Sequence, residues 1–159
     1  PGTHSINISD YGSFDVLFDN KTARPGWIVI QQRIDGKEDF YRDWNTYAAG
    51  FGSFAGDFFL GLEKIHRLTS SGRFELVIQM ELLNGAIQSV RYDNFKVDGN
   101  TTDYRLSSLG KFSGNESNDR LRYHEGMKFS TFDRANDLKN GDCAKIHHGG
   151  WWYNHCTSR

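Results

Sequence analysis

The sequence is poor in several features that would assign a function at once. Only two cysteines occur in 159 residues, Cys143 and Cys156. Their spacing lacks the close paired ligands of a structural zinc site. No apolar run approaches the roughly 18 residues of a membrane span, so membrane insertion is not expected. The run Phe58-Phe59-Leu60 is broken at Gly61. There is no Lys/Arg block and the formal net charge is −1, so nothing marks a nucleic-acid or anionic-membrane partner. No positively charged, apolar leader follows Pro1, so any targeting peptide lies outside these residues. The sequence has no G-x-S-x-G elbow, no P-loop and no H-E-x-x-H, and it offers no nucleophile with an evident base. An enzyme is not expected.

Aromatic residues, in contrast, are plentiful: twelve Phe, seven Tyr and four Trp. That content argues against disorder, and the length suits one domain that buries roughly 68–70% of its unfolded surface. Residues 26–34 are apolar and β-branched and run into Asp35-Gly36, which predicts a strand entering a tight turn. Aromatics then recur at mostly helical spacings over 40–61, with Asp43 as a cap and Gly50 as a stop. Leu62, Ile65, His66 and Leu68 continue a helical stripe to Ser70-Ser71-Gly72. From Arg73 the period becomes two, which predicts a half-buried strand. Asn84-Gly85 offers a type I′ turn, a second strand covers about 87–97, Asp98-Gly99 offers another turn, and a third strand covers about 104–112. Helices ahead of an antiparallel meander predict an α+β fold. After Phe132 periodicity is lost, and such a stretch is either functional or disordered. Its tryptophans favour function.

Cys143 and Cys156 read equally well as a disulfide closing a short loop, worth roughly 3 kcal/mol, or as two free thiols. Four of the eleven asparagines, Asn7, Asn20, Asn100 and Asn115, stand in Asn-x-Ser/Thr glycosylation patterns within polar stretches where loops are expected. That excess points to a secreted, extracellular protein.

Three further patterns need weighing. Gly50-Phe51-Gly52-Ser53-Phe54-Ala55 matches a dinucleotide-binding pattern, but no strand precedes it, so a glycine turn packed by aromatics is the better account. His147, His148 and His155 lie near the cysteines without zinc-ligand spacing. The run from Asp133 to Asp142 collects hard oxygen donors as calcium requires, but it is not an EF-hand, and on spacing alone a solvated Asp/Asn turn is the better account.

Taken together, GWIVIQQRIDGKEDFYRDWNTYAAGFG, GDFFLGLEKIHRLTSSGRFEL, YHEGMKFSTFDRAND and CAKIHHGGWWYNHC resemble the fibrinogen C-terminal domain. The match spans residues 26–156 in the family's order. The resemblance implies a single domain of three sub-lobes. These are an N-terminal one (about 1–34), a central sheet (35–115) and an incomplete C-terminal ligand-binding lobe (116–159). It implies a Cys143–Cys156 disulfide and a cis peptide at His155–Cys156. It implies a non-enzymatic module, either lectin-like, binding acetylated or other glycans in innate immunity, or angiopoietin- or tenascin-like, binding extracellular or cell-surface proteins. Oligomerisation would come from a region upstream of these residues.

The departures from the family pattern are specific. Phe18 stands where an earlier cysteine is expected. The calcium positions map to Ala135, Asp137, Lys139 and Gly141, so the first carboxylate is missing. Asp133 could substitute only by swinging in, and calcium is expected to bind weakly or not at all. The ligand site maps to His147, Trp152, Tyr153, His155, Cys156 and Thr157. His147 replaces the usual aromatic or acidic residue, and Thr157 replaces a histidine.

Overall fold

The computed structural model describes residues 2–21, 26–140 and 142–157. Its first unit is a hairpin, β1 (Gly2–Ile8) with β2 (Gly12–Asp19), closed where Tyr11 N–H donates to the Ile8 carbonyl at 3.1 Å. Alternation places Phe14, Val16 and Phe18 toward the core, with Val16 fully buried. β3 (Trp27–Val29) adds to β2, giving a sheet of order β1-β2-β3.

The single strand expected over 26–34 is divided between two sheets. After Val29 the chain leaves the first sheet, and β4 (Gln31–Gln32) pairs with a later strand. Asp35-Gly36 is not a hairpin turn. The loop it begins is pinned by a buried carboxylate: Asp57 Oδ1 accepts from the N–H groups of Ile34 and Asp35, the latter at 3.0 Å. These donors hold the Asp57 carboxyl below its ordinary range.

The aromatic stretch makes one helix and two short strands, and the stripe after it makes a second helix. α1 (Trp44–Ala49) is capped as expected, with Asp43 Oδ1 accepting from Thr46 N–H at 2.9 Å, and it ends at Gly50. β5 (Phe51–Gly52) and β6 (Phe58–Phe59) then pair with each other and with β4. α2 (Leu62–Ser70) buries Leu62, Ile65 and Leu68. Gly50 and Gly61 are required by a backbone crossing. A Cβ on Gly50 would sit 2.3 Å from the Leu60 carbonyl oxygen, and one on Gly61 2.7 Å from that of Ala49. Both have positive φ. The glycine pattern at 50–55 is thus packing chemistry.

β7 (Phe74–Glu81) and β8 (Ile87–Val97) are antiparallel. Their turn is not type I′. Gly85 N–H donates to Leu82 O and Leu82 N–H to Ala86 O, both at 2.8 Å, and only Gly85 has positive φ. This is a three-residue loop with a glycine bulge. The connection beyond Asp98 is not a tight two-residue turn: it carries a 3-10 turn at Asn100–Thr102 before the chain returns antiparallel along β8. The third strand expected over 104–112 is two strands, β9 (Leu106–Ser108) and β10 (Phe112–Gly114). Both lie along the far edge of β8. A second 3-10 turn, Leu121–His124, leads into a mostly irregular lobe that holds α3 (Cys143–His147).

One aromatic cluster joins these parts. Tyr47, 2% exposed, lies 5.1 Å from Phe51, 5.3 Å from Phe59 and 5.3 Å from Phe129. Its hydroxyl donates to the Phe40 carbonyl and accepts from Gly150 N–H at 3.0 Å. Burial pushes that phenol above its ordinary range.

Candidate functional site: the disulfide lobe

α3 is a single turn whose buried face is Cys143 and Ala144. His148 caps it in a left-handed conformation, φ 51°, with its N–H on the Ala144 carbonyl. Cys143 is bonded to Cys156 with a Cα–Cα distance of 5.0 Å. With Tyr153 these residues form a small second core against Trp151. The resemblance therefore named the pairing correctly.

The His155–Cys156 peptide is trans, contrary to the expectation, since the described residues contain no cis bond. The turn is closed differently. Cys156 takes a left-handed φ of 61°, Asn154 N–H reaches the Cys156 carbonyl at 3.2 Å, and His155 N–H donates to Asn154 Oδ1 at 2.9 Å.

The six expected ligand residues separate by burial. Trp152 belongs to the main core, 5% exposed, with its Nε1–H on the Tyr104 carbonyl at 2.7 Å and its ring 5.3 Å from Phe129. It cannot line a surface site. Tyr153 is also buried. Its hydroxyl donates to the Gly149 carbonyl at 2.9 Å, and burial raises the phenol well above its ordinary pKa. His147 stacks on Tyr153, with ring centroids 5.7 Å apart and planes 21° from parallel. His147, His155 and Thr157 are exposed. The lobe thus presents an imidazole platform backed by a buried phenol and a disulfide.

The calcium positions come out unevenly. Asp133 does not swing in. Its Oδ1 accepts from the backbone N–H of Trp44 at 2.9 Å and from Thr131 Oγ1 at 2.7 Å. That carboxylate holds the start of α1. Asp137 Oδ1 accepts from Lys139 N–H at 2.8 Å in an Asx turn. Ala135 is exposed and offers no side-chain donor, and Gly141 lies outside the described residues. Among the described residues, no three His, Cys, Asp or Glu side chains are grouped to hold a metal. Of the expected calcium positions, the described residues thus supply one side-chain carboxylate, Asp137.

All four glycosylation asparagines are exposed. Asn7 lies within β1, not in a loop, and donates to Ser13 Oγ at 3.2 Å. Asn20 follows β2 directly, and Asn100 opens the 3-10 turn. Asn115 is tied to β8, accepting from Ser89 N–H at 2.7 Å and donating to the Ile87 carbonyl at 3.1 Å.

Three arrangements were not foreseen from sequence. His124 is buried with Nδ1 2.8 Å from the Trp152 carbonyl, so Nδ1 carries the proton, and burial lowers its pKa. Tyr41 packs between Phe132 (4.8 Å) and His148 (5.2 Å) beside α3. Ser70 Oγ lies 3.2 Å from His66 Nδ1, but that nitrogen also faces the Val97 carbonyl at 2.9 Å. His66 Nδ1 therefore donates, and it cannot serve Ser70 as a base.

Among the described residues, three antiparallel sheets, three short helices and a disulfide-closed, mostly irregular C-terminal lobe define an α+β globular domain of the fibrinogen-like globe type. The chain belongs to the fibrinogen C-terminal domain family: the family described as fibrinogen beta and gamma chains, C-terminal globular domain, matches residues 2–159. Human Ficolin-3 is 39% identical over 155 residues, which is 98% of this chain and 52% of Ficolin-3. Human Angiopoietin-related protein 2 is 42% identical over 141 residues, 89% of this chain and 28% of that protein. The chain therefore spans about half, or less, of these curated relatives. Among solved structures, the fibrinogen-like globe domain of human ANGPTL2 superposes with a TM-score of 0.93 at 36% identity, covering 98% of this chain and 72% of that one. No described helix is long and apolar enough to cross a membrane.

Proposed function

We propose that this domain is a secreted, non-enzymatic recognition module whose disulfide lobe binds acetylated glycans, in the manner of an innate-immune lectin. The observation that carries the reading is the His147–Tyr153 stack held against the Cys143–Cys156 disulfide. A flat ring with one open face, fixed by a covalent staple, suits the apolar side of an acetylated sugar. The exposed imidazole of His155 and hydroxyl of Thr157 belong to the same segment and offer polar groups. The disulfide and the four exposed Asn-x-Ser/Thr sites support an extracellular location. Glycosidase treatment of secreted material should lower its mass.

A second reading, a protein-interaction module, is favoured by the burial of Trp152 and by the commitment of the Tyr153 hydroxyl to Gly149. Both remove side chains that a sugar pocket would use. A glycan array decides between them. Saturable binding competed by free acetylated sugar supports the lectin, and no binding to any glycan supports the protein partner.

A further inference from the structure

The β7–β8 hairpin turns at Asn84-Gly85. Of the eleven asparagines only Asn84 and Asn140 precede a glycine, and Gly141 lies outside the described residues. An asparagine side chain carries an electrophile, its carbonyl carbon Cγ. The nitrogen of the following peptide can add to that carbon and close a five-membered ring. Asparagine is chemically labile for this reason. The path is most open where the attacking nitrogen belongs to glycine, which has no Cβ beside it.

The turn arranges Asn84 for that closure. Ala86 N–H donates to Asn84 Oδ1 at 2.9 Å and so forms an Asx turn. The ring closed by this bond contains both Asn84 Cγ and Gly85 N. The carboxamide is therefore folded over the peptide that attacks it. The same N–H polarises the Cγ carbonyl and stabilises the charge that develops on Oδ1 as the nitrogen adds. Gly85 has φ 81°, and a Cβ there would meet nothing within 4 Å, so the ring forms without displacing a neighbour. Residues 79–87 are all exposed, which gives water access to the loop.

One contact opposes the reaction. Gly85 N–H donates to the Leu82 carbonyl at 2.8 Å and must be released before its nitrogen adds. The tip has little to hold it closed, since Leu82, Leu83 and Ile87 are all exposed. Opening of such a tip lies at the low end of local unfolding free energies.

We propose that Asn84 is a site of spontaneous deamidation that installs an isoaspartyl linkage at the β7–β8 tip. Gly85 N loses its proton to hydroxide and adds to Asn84 Cγ. The bond from Cγ to Nδ2 breaks, and Nδ2 leaves as ammonia after taking a proton from water. One water then opens the cyclic imide. Cleavage between Gly85 N and Cγ gives aspartate. Cleavage between Gly85 N and the α-carbonyl carbon leaves the chain running through Cγ, which is isoaspartate. The sum consumes one water and releases one ammonia, with no change of oxidation state. The added carboxylate takes the formal net charge from −1 to −2. It stands beside exposed Leu82, Leu83 and Ile87, and the isoaspartyl form lengthens the backbone of the loop by one carbon. The proposal stands independently of glycan binding.

The test is peptide mapping of the 159-residue chain after incubation at mildly alkaline pH, folded and in denaturing urea. Trypsin releases residues 74–91 as a fragment whose sole asparagine is Asn84, so Asn140 is read separately. The fragment should become heavier by the difference between an amide and an acid and separate into aspartyl and isoaspartyl forms. Protein isoaspartyl methyltransferase should label the second form. The folded chain should convert less than about tenfold more slowly than the chain in urea, as a tip that opens at little cost requires. Asn84→Gln should abolish the change, because glutamine would have to close a larger ring. Aspartate without isoaspartate, no conversion at all, or slowing by about tenfold or more in the folded chain would overturn the proposal. A mass change that persists in Asn84→Gln would assign it to Gln79 or Gln88 and overturn it too.

Discussion

Asp133 accepts a hydrogen bond from the backbone N–H of Trp44, 89 residues earlier, at 2.9 Å. That bond ties the loop expected to hold calcium to the start of α1. It sits beside the Asp43 cap, so two carboxylates serve the same helix end.

Asp133→Ala should therefore destabilise the fold by about 1 kcal/mol, the ordinary cost of losing such a cap. For a domain of this size that is a fall in Tm of roughly 2–4 °C. Thermal unfolding of the two proteins side by side measures it. An unchanged Tm would mean that the bond contributes nothing.

Calcium should bind the unmodified chain in the millimolar range or not at all. Affinity rises with the number of carboxylates, and here Asp133 is engaged while Ala135 has no donor. Calorimetric titration beside Ala135→Asp should show tighter binding by the substituted chain. Micromolar binding by the unmodified chain, with no gain on substitution, would refute this ligand assignment.

His124 gives the domain a pH dependence of known sign. Burial lowers its folded pKa below the unfolded value near 6.5. The unfolded chain therefore binds the proton more readily. The stability contributed by neutral His124 is complete above about pH 6.5 and declines as pH falls from there toward the lowered folded pKa. Denaturant unfolding at pH 7.5 and pH 5 should show a loss that is smaller in His124→Gln. An identical loss in both proteins would assign the dependence elsewhere.

The sequence carried the interior of the domain well and its connections poorly. Asp43, Gly50 and the 62–70 stripe bounded their helices because capping and amphipathic spacing are local signals. The strand over 26–34 was misread because one apolar run serves two sheets, and nothing local marks the exchange at Ile30. The hairpin β1–β2 shows period-two alternation at Phe14, Val16 and Phe18, a local signal of the same kind. In the lobe, the cysteine pairing was legible through resemblance. The burial of Trp152 was not, because it depends on Tyr104 and Phe129, which are distant in sequence. The helix-capping role of Asp133 was hidden for the same reason.

The central claim is that recognition occurs on the His147 face of the disulfide lobe. Titration of the isotopically labelled chain with N-acetylglucosamine, followed by amide and imidazole NMR shifts, tests it most directly. The account predicts saturable shifts confined to residues 143–157, abolished in His147→Ala while the rest of the spectrum is retained. Shifts centred outside that lobe, or an unaltered response in His147→Ala, would contradict it.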